Sequence, residues 1–270
     1  MTLFPQSARS HSVFAFACAY LLFMAGCLFF LTDFWYRLDG ENNFIELSGA
    51  IALFVTSGYL FYSAKLSFQR KHPLHESALL VGAGLLFFFA GGEEMSWGQH
   101  LFGWGTPEWL GEVNGQNETN LHNINKKAFD RWMDRITFVF AATTVTLHLL
   151  KREHVIGFRM PEAPIALGYL LLPVYRRLDV INLDLWDLSY FVALAYGVSA
   201  VLRKDRKMLR NFALYALTVA VVFYVHRYHA HLLGRNSNTY HEIRETLFAY
   251  LCLAYGVQVY LDTRHKHARA

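Results

Sequence analysis

SALLVGAGLLFFFAGG, residues 77–92, runs directly into EEMSWGQH, residues 93–100, and these two segments decide the class of the protein. The first segment holds no charged side chain, whereas the second brings two glutamates, a serine and a histidine together. An uncharged run of this kind is typical of a helix that crosses the hydrocarbon core of a membrane. The sequence therefore predicts a transmembrane helix that ends in a polar segment.

The whole composition supports the same class. The chain has 270 residues, of which 54% are hydrophobic and only 17% charged, with a mean hydropathy of +0.21. These values are too apolar for an ordinary soluble domain. We predict an all-α bundle in one integral membrane domain, 1–270, with about eight spans and a long outer loop at 102–135. The predicted spans lie near 13–32, 44–64, 77–101, 136–150, 164–175, 188–202, 210–228 and 243–262.

Two of these spans leave the count open. The fourth and fifth are shorter than the roughly 20 residues that a straight span needs, and the fifth also contains Pro164 and Pro173. Six or seven spans are therefore alternatives to eight.

The charges predict an orientation. If both termini are cytoplasmic, the inner segments hold 15 of the 25 basic residues but only 5 of the 21 acidic ones. Inner segments are thus net +10 and outer segments net −6, which together give the total of +4. The excess of basic residues in the inner segments is what the positive-inside rule predicts. All six tryptophans also fall in or beside the predicted outer segments, where amphipathic rings suit the interface. Since topology explains the basic balance, we expect no nucleic-acid partner.

The N-terminal segment contains Met24-Ala25-Gly26-Cys27, which approximates a lipoprotein cleavage box. The apolar run continues beyond Cys27 through Leu31, and the hydrophobic region of a signal peptide is normally shorter than this run, so we expect an uncleaved first span. All three cysteines lie inside predicted spans, where they serve as small packing residues rather than as a disulfide or metal framework.

The polar end of the third span is the first candidate site. On a helix that turns about 100° per residue, one stripe carries four of its side chains, Glu93, Ser96, Trp97 and His100. Glu94 points elsewhere. An ionised side chain facing lipid would cost at least about 2.5–3.5 kcal/mol, so the stripe should face the bundle interior or a polar cavity. A salt bridge from Glu93 to Arg227 or Arg244, or a kinked helix end, is the structural alternative.

Histidines supply a second group at a similar depth. His226 and His229 are three residues apart on the seventh span, a spacing that suits a pair of metal ligands. His241 and Glu245 partly match the zinc-binding pattern H-E-x-x-H, although glutamate replaces the second histidine. The alternative is that these residues only form the capped first turn of the eighth span, where acidic side chains are favoured, and that they bind no metal.

The long outer loop returns to the level of Glu93. Thr106-Pro107-Glu108 predicts the start of a short interfacial helix. Beyond it lie His122 and a series of amide and acidic residues, namely Asn114, Gln116, Asn117, Glu118, Asn120, Asn123 and Asn125. Such a stretch is often a plain solvated loop, but here it could act as a lid or supply ligands to the site.

The combined string GGEEMSWGQHLFGWGTPEWL…NGQNETNLHN, with the later HEIRETLFAY, resembles a signature of uncharacterised multi-span bacterial membrane proteins, EExSWGQ…TPE…ETNLHN. This resemblance implies a bacterial inner-membrane protein and no particular activity. Glu41-Asn42-Asn43 with Glu46, Ser96 with His100, and His226 with His229 also show a distant likeness to the alkaline ceramidase and progestin-receptor-like membrane hydrolases. Those proteins have seven spans, and their late histidines are four residues apart. The CAAX-type intramembrane proteases share the paired glutamates, but glycine stands here at position 98, where they have arginine.

Two classes of function follow. In the first, the protein is a metal-dependent hydrolase that acts at the outer interface on a lipid or lipid-linked substrate. Zinc or another divalent metal would be bound by Glu93, His122, His226 and His229. Glu245 or Glu94 would be the general base, and Ser96 or His100 would orient the substrate. In the second, the protein is a transporter or an assembly factor in which the same residues form a proton relay or a structural network. A haem held between His100 and His226 is a third option.

Overall fold

The computed structural model describes residues 6–38, 44–114, 117–175, 185–229 and 239–265. Its α-helices are α1 Gln6–Phe30, α2 Thr32–Leu38, α3 Phe44–Gln69, α4 Leu74–Glu94, α5 Gln99–Phe102, α6 Glu108–Gly111, α7 Lys126–Leu149, α8 Ala163–Tyr169, α9 Leu185–Leu202, α10 Arg206–Tyr228 and α11 Thr239–His265. Three 3-10 turns occupy Ser96–Gly98, His122–Asn125 and Leu172–Tyr175. A small hairpin pairs β1 His154–Val155 with β2 Phe158–Arg159 in antiparallel register. The predicted all-α class is confirmed.

Several helices carry the signature of membrane spans. Within the described residues, four helical segments are long and apolar enough to cross a membrane: Ser10–Phe30 of α1, α3, α4 and α10. Their outward faces are apolar too, and on α4 Leu85, Leu86 and Phe88 are 56%, 65% and 48% exposed. A soluble protein would not leave such continuous apolar surface facing water. The chain is therefore a helical membrane protein.

The helices are arranged so that their ends gather at two levels. At one level, Arg70 Nη1 donates to the Thr263 carbonyl and joins the C-terminal ends of α3 and α11. Arg203 Nη2 donates to the Leu149 carbonyl and joins the ends of α9 and α7. We call this level the basic end. The loop end is the opposite one, where Thr246 of α11 donates to the Ile45 carbonyl near the start of α3.

Helix α1 runs parallel to α10. Its His11 Nδ1 lies 3.1 Å from Asn211 Oδ1 near the start of α10, and its Phe29 ring lies 5.5 Å from the His229 ring beyond the end of α10. The beginnings of α1 and α10 therefore share the basic end.

The fifth predicted span, 164–175, differs from the structure. Helix α8 has 7 residues, and the 3-10 turn Leu172–Tyr175 follows it. A helix of that length covers about 10 Å, a third of the hydrocarbon core. Leu167 and Leu171 are fully buried, because α8 packs against α1, α7 and α11 inside the bundle. This apolar run is a core segment over the described residues and not a straight span.

Two predicted boundaries also shift. Helix α7 begins at Lys126, so the last ten residues of the predicted loop 102–135 are helical. Asn125 caps this helix, since its Oδ1 accepts the N–H of Ala128 at 3.2 Å. Helix α4 ends at Glu94 and not at residue 101 as predicted. The three cysteines are free and buried.

Candidate functional site at the end of helix α4

A left-handed turn ends helix α4. Ser96, Trp97 and Gly98 have φ values of 46°, 56° and 84°, and the Gly98 N–H donates to the Met95 carbonyl at 2.8 Å. For residues with a Cβ, left-handed geometry costs about 1–2 kcal/mol each, and glycine is the residue that adopts it routinely. Backbone strain of this kind is found preferentially at functional sites. The turn also corrects the predicted stripe, because Ser96 and His100 do not continue the helix that carries Glu93.

The Trp97 ring packs back onto the helix that it follows. Its Nε1 donates to Glu93 Oε1 at 2.8 Å. A Cβ on Gly92 would lie 2.7 Å from the Trp97 ring, so glycine at this position makes room for it. The other carboxylate oxygen of Glu93 accepts the N–H of Leu121 at 2.6 Å, and Glu93 is 6% exposed. Glu93 therefore joins the end of α4 to the loop that precedes α7.

That loop, residues 117–125, is called the amide loop below, and its Glu118 is the centre of the site. Glu118 Oε2 accepts hydrogen bonds from Ser96 Oγ at 3.1 Å, Asn120 Nδ2 at 2.6 Å and Asn123 Nδ2 at 3.2 Å. Its other oxygen, Oε1, lies 3.2 Å from His100 Nε2. Hydrogen bonds to a carboxylate are stronger than those between neutral groups. A single carboxylate therefore gathers the left-handed turn, α5 and the amide loop.

Further polar contacts hold the amide loop in place. Thr119 donates its N–H to Gln99 Oε1 at 2.7 Å and its hydroxyl to the Ser96 carbonyl at 2.5 Å. Asn114 Nδ2 donates to the carbonyl oxygens of Glu118 and Asn120 at 2.9 and 2.6 Å. Asn114 and Asn120 are 5% and 2% exposed. The amide-rich sequence is thus an ordered scaffold that carries Glu118 to the end of α4.

Exposure divides the site into an inner and an outer part. Ser96 is 3% exposed, the Glu118 side chain 14% and the His100 side chain 38%. His100 uses Nε2 toward Glu118, and the described residues make no hydrogen bond to its Nδ1. The arrangement is a carboxylate–imidazole pair whose imidazole reaches the surface, with Ser96, Asn120 and Asn123 fixing the carboxylate from behind.

The two predicted general bases, Glu94 and Glu245, lie on different helices. Glu94 is the last residue of α4 and is partly buried. Glu245, on α11, lies 3.6 Å from Arg244 Nη2. Arg244 also contacts Asp134 of α7 at 3.3 Å, and both side chains of that pair are 8% exposed. Asp134 was not among the predicted site residues, and it lies within the predicted loop 102–135.

The predicted metal ligands are only partly described. His226 and His229 are buried, at 1% and 8% exposure, and the His229 ring contacts the rings of Phe29 and Tyr228 at 5.5 and 5.0 Å. His122 begins a 3-10 turn, but its side chain lies outside the described part, as does that of His241. Among the described side chains, no three of His, Cys, Asp or Glu are grouped closely enough to hold a metal ion.

Glu118 is the site residue that sequence reasoning missed. In the sequence it is one polar residue among many in a loop, and no spacing relates it to residue 96 or 100. The only available signal was the density of amides around it, because many buried amides imply partners that must satisfy them.

Comparison with known protein families, with curated proteins and with solved structures finds no match to this chain.

Proposed function

We propose that the protein is a membrane-embedded hydrolase whose site lies at the loop end and acts on a lipid or lipid-linked substrate. The observation that carries the proposal is the Glu118 carboxylate, which contacts Ser96 on one oxygen and His100 on the other. A fixed carboxylate that orients an accessible imidazole is a recurring arrangement for general acid–base catalysis.

Each residue has a role in this proposal. His100 takes a proton from water or from a substrate hydroxyl through Nδ1, the nitrogen that does not face Glu118. Glu118 holds the imidazole and stabilises the imidazolium that forms. Ser96, Asn120 and Asn123 are positioning residues, because they bind Oε2 of Glu118 and leave Oε1 for His100.

The surroundings support a lipid or lipid-linked substrate. Trp97, Phe102 and Trp104 are 37%, 73% and 45% exposed beside His100, and the Phe102 and Trp104 rings stack at 5.2 Å. Exposed aromatic rings at the end of a membrane helix suit the interface between headgroups and acyl chains. A substrate anchored in the bilayer would thus reach His100 without leaving the membrane surface.

The proposed setting is the plasma membrane of a bacterium, with multiple spans and with the basic end in the cytoplasm. The charge asymmetry of the sequence and the grouping of the basic loops at one end support this orientation. His100 then acts on the outer face.

A metal-dependent form of the reaction is a second version of the same proposal. It uses Glu93, His122, His226 and His229 as ligands, with Glu94 or Glu245 as base. The metal content of the purified protein, measured for wild type and for His226→Ala, separates the two versions. About one zinc per chain that is lost in the variant favours the metal version, whereas a Soret band favours haem.

A non-catalytic role has its own supporting observation. Ser96 is 3% exposed, and the carboxylate oxygens of Glu118 and Glu93 are occupied by groups of the protein itself. In that alternative, the network is a latch that holds the amide loop in a transporter or an assembly factor.

The test uses purified protein in mixed micelles with a panel of fluorogenic lipid esters, amides and phosphodiesters. We expect His100→Ala and Glu118→Gln to lower turnover by about 10²–10⁴-fold, the usual contribution of general acid–base catalysis. His154→Ala is the matched control, since His154 is exposed on the hairpin at the basic end, and its turnover should equal that of wild type.

Two results would overturn the hydrolase. One is hydrolysis that His100→Ala leaves unchanged. The other is no hydrolysis of any substrate by wild type, together with a lower unfolding temperature for Glu118→Gln but not for the exposed His100→Ala, which is the pattern that a latch predicts.

A further inference from the structure

The connection between α9 and α10 carries a dense group of basic residues at the basic end. Five of the eight residues from 203 to 210 are Lys or Arg, namely Arg203, Lys204, Arg206, Lys207 and Arg210, and all five are exposed. We call them the basic turn. The basic turn lies far from the candidate site, because α7 separates the Leu149 carbonyl beside Arg203 from the amide loop by 24 residues, about 36 Å of helix.

The basic turn has a defined backbone. The N–H groups of Lys204 and Asp205 donate to the carbonyls of Val201 and Ala200, both at 3.0 Å. Asp205 then caps α10 by accepting the N–H groups of Lys207 and Met208 at 2.9 and 3.1 Å. The basic side chains therefore project from a short, well-supported connection and not from a long loop.

The charge of the basic turn is not balanced within the described part of the protein. No ion pair there joins Lys204, Arg206, Lys207 or Arg210 to a carboxylate, and the one acid of the turn, Asp205, is used as a helix cap. The basic turn thus presents a concentrated positive charge to an external anion.

An apolar surface lies next to the basic turn, on the helix that precedes it. One face of α9 forms an open groove lined by Phe191, Leu194, Ala195, Val198, Ser199, Leu202 and Arg203. Phe191, Leu194 and Leu202 are 55%, 51% and 77% exposed. From Phe191 to Leu202 the helix rises about 16 Å, which is half of a hydrocarbon core about 30 Å thick. The groove therefore has the length of one leaflet and is basic at its headgroup end.

We propose that the basic turn and the α9 groove together form a binding site for an anionic phospholipid. The phosphate lies among Lys204, Arg206 and Lys207, and one acyl chain lies along Phe191, Leu194 and Leu202. The charge on the turn selects an anionic headgroup, and the apolar groove that continues from it selects a lipid over a free phosphate. Arg203 is a structural member of the site, since its guanidinium is bound to the Leu149 carbonyl.

The experiment uses the full chain in a neutral detergent. Phosphatidylglycerol, phosphatidylcholine, glycerol phosphate and inorganic phosphate are titrated separately, with bound lipid counted by native mass spectrometry and the unfolding temperature followed in parallel. We expect phosphatidylglycerol alone to remain bound and to raise the unfolding temperature.

The test variant is Lys204→Gln/Arg206→Gln/Lys207→Gln, and the control is Lys65→Gln/Lys71→Gln/Arg264→Gln. The control removes the same charge from exposed residues on α3, after α3 and on α11, none of which lines the α9 groove. We expect the test variant to bind phosphatidylglycerol at least about tenfold more weakly and the control to bind it as wild type does, since each basic residue near an anionic surface contributes about fivefold in affinity.

If both triple variants bound phosphatidylglycerol equally weakly, the binding would depend only on the overall charge of the protein, and the proposed site would be overturned. The site would also be overturned if phosphatidylcholine, glycerol phosphate or inorganic phosphate raised the unfolding temperature as much as phosphatidylglycerol does. The single variants Lys204→Gln and Lys207→Gln, each with a smaller loss, keep the test decisive if the triple variant unfolds at a lower temperature without lipid.

Discussion

Gly92 and Trp97 show how single residues hold the strained turn at the end of α4. The Trp97 ring lies against Gly92 so closely that no Cβ fits between them, and the same ring hydrogen-bonds Glu93. Trp97 itself has a φ of 56°. The left-handed backbone therefore persists because the ring is held from two sides, and the strain is offset by contacts that a regular helix would not make.

Gly92→Ala tests this interpretation. Inside a helix, alanine is more favourable than glycine by about 1 kcal/mol, so propensity alone predicts a stabilised protein. We expect the opposite, a lower unfolding temperature in detergent, because the added methyl displaces the Trp97 ring and breaks its hydrogen bond to Glu93. Tryptophan fluorescence should shift in parallel.

Gly82→Ala is the matched control for this substitution. Gly82 lies on the same helix, and a Cβ there would meet nothing within 4 Å. This variant should be as stable as wild type or more so. If Gly92→Ala behaved in the same way as Gly82→Ala, the Trp97 ring would not depend on the glycine.

At the scale of elements, a buried ion pair joins α7 to α11. Arg244 Nη1 lies 3.3 Å from Asp134 Oδ1, and both side chains are 8% exposed. Charges buried in this way are costly unless they are paired, so the pair fixes how α7 and α11 meet more than it adds to stability. Since α7 directly follows the amide loop, this pairing also bears on where Glu118 lies.

Breaking the pair from either side should destabilise the protein strongly. We expect Asp134→Asn and Arg244→Gln each to lower the free energy of unfolding by about 3–5 kcal/mol, because each leaves a buried charge behind. The double variant Asp134→Asn/Arg244→Gln should lose less than the sum of the single losses. Additive losses in this double-mutant cycle would show that the two residues act separately.

Glu245→Gln is the control for this cycle. Glu245 also contacts Arg244, but at 3.6 Å and with its side chain 28% exposed. Such a solvent-screened pair contributes at most about 1 kcal/mol, so the change in unfolding temperature should be small.

At the scale of the whole molecule, the loops that the structure describes lie at two ends that differ in charge and in architecture. The basic end holds the short α9–α10 connection and the hairpin, whereas the loop end holds the ordered amide loop and its carboxylates. This separation places the proposed acid–base pair and the proposed lipid site at opposite ends of the bundle.

Reporter fusions test the proposed orientation of the two ends. Alkaline phosphatase joined after Asn117, in the amide loop, should be active, and the same reporter joined after Arg206, in the basic turn, should be inactive, because the enzyme folds only outside the cytoplasm. Two active or two inactive fusions would place both ends on one side and would contradict the bundle as a membrane-crossing structure. An exchanged pattern would reverse the orientation and put His100 in the cytoplasm.

The sequence was enough to predict the helical membrane class of the protein and the position of its long apolar helices along the chain, although the end of α4 was wrong by about seven residues and the start of α7 by about ten. The length of an apolar run and the distribution of charges along the chain can be read without knowledge of the three-dimensional structure. The sequence did not distinguish a membrane span from a buried core segment at 164–175, because both environments favour the same apolar side chains. It also missed the end of α4, because the Gly92–Trp97 contact that holds the left-handed turn depends on packing.

Which polar groups meet depends on the tertiary structure. The carboxylate of Glu118 lies 22 residues from Ser96 and 18 from His100 along the chain, and their contact depends on the ordered amide loop between them. The pairing of Asp134 with Arg244 depends in the same way on α7 and α11 packing together. A sequence records the residue types that can form such contacts, but the partners are selected by the path of the backbone, which brings distant segments within hydrogen-bond reach.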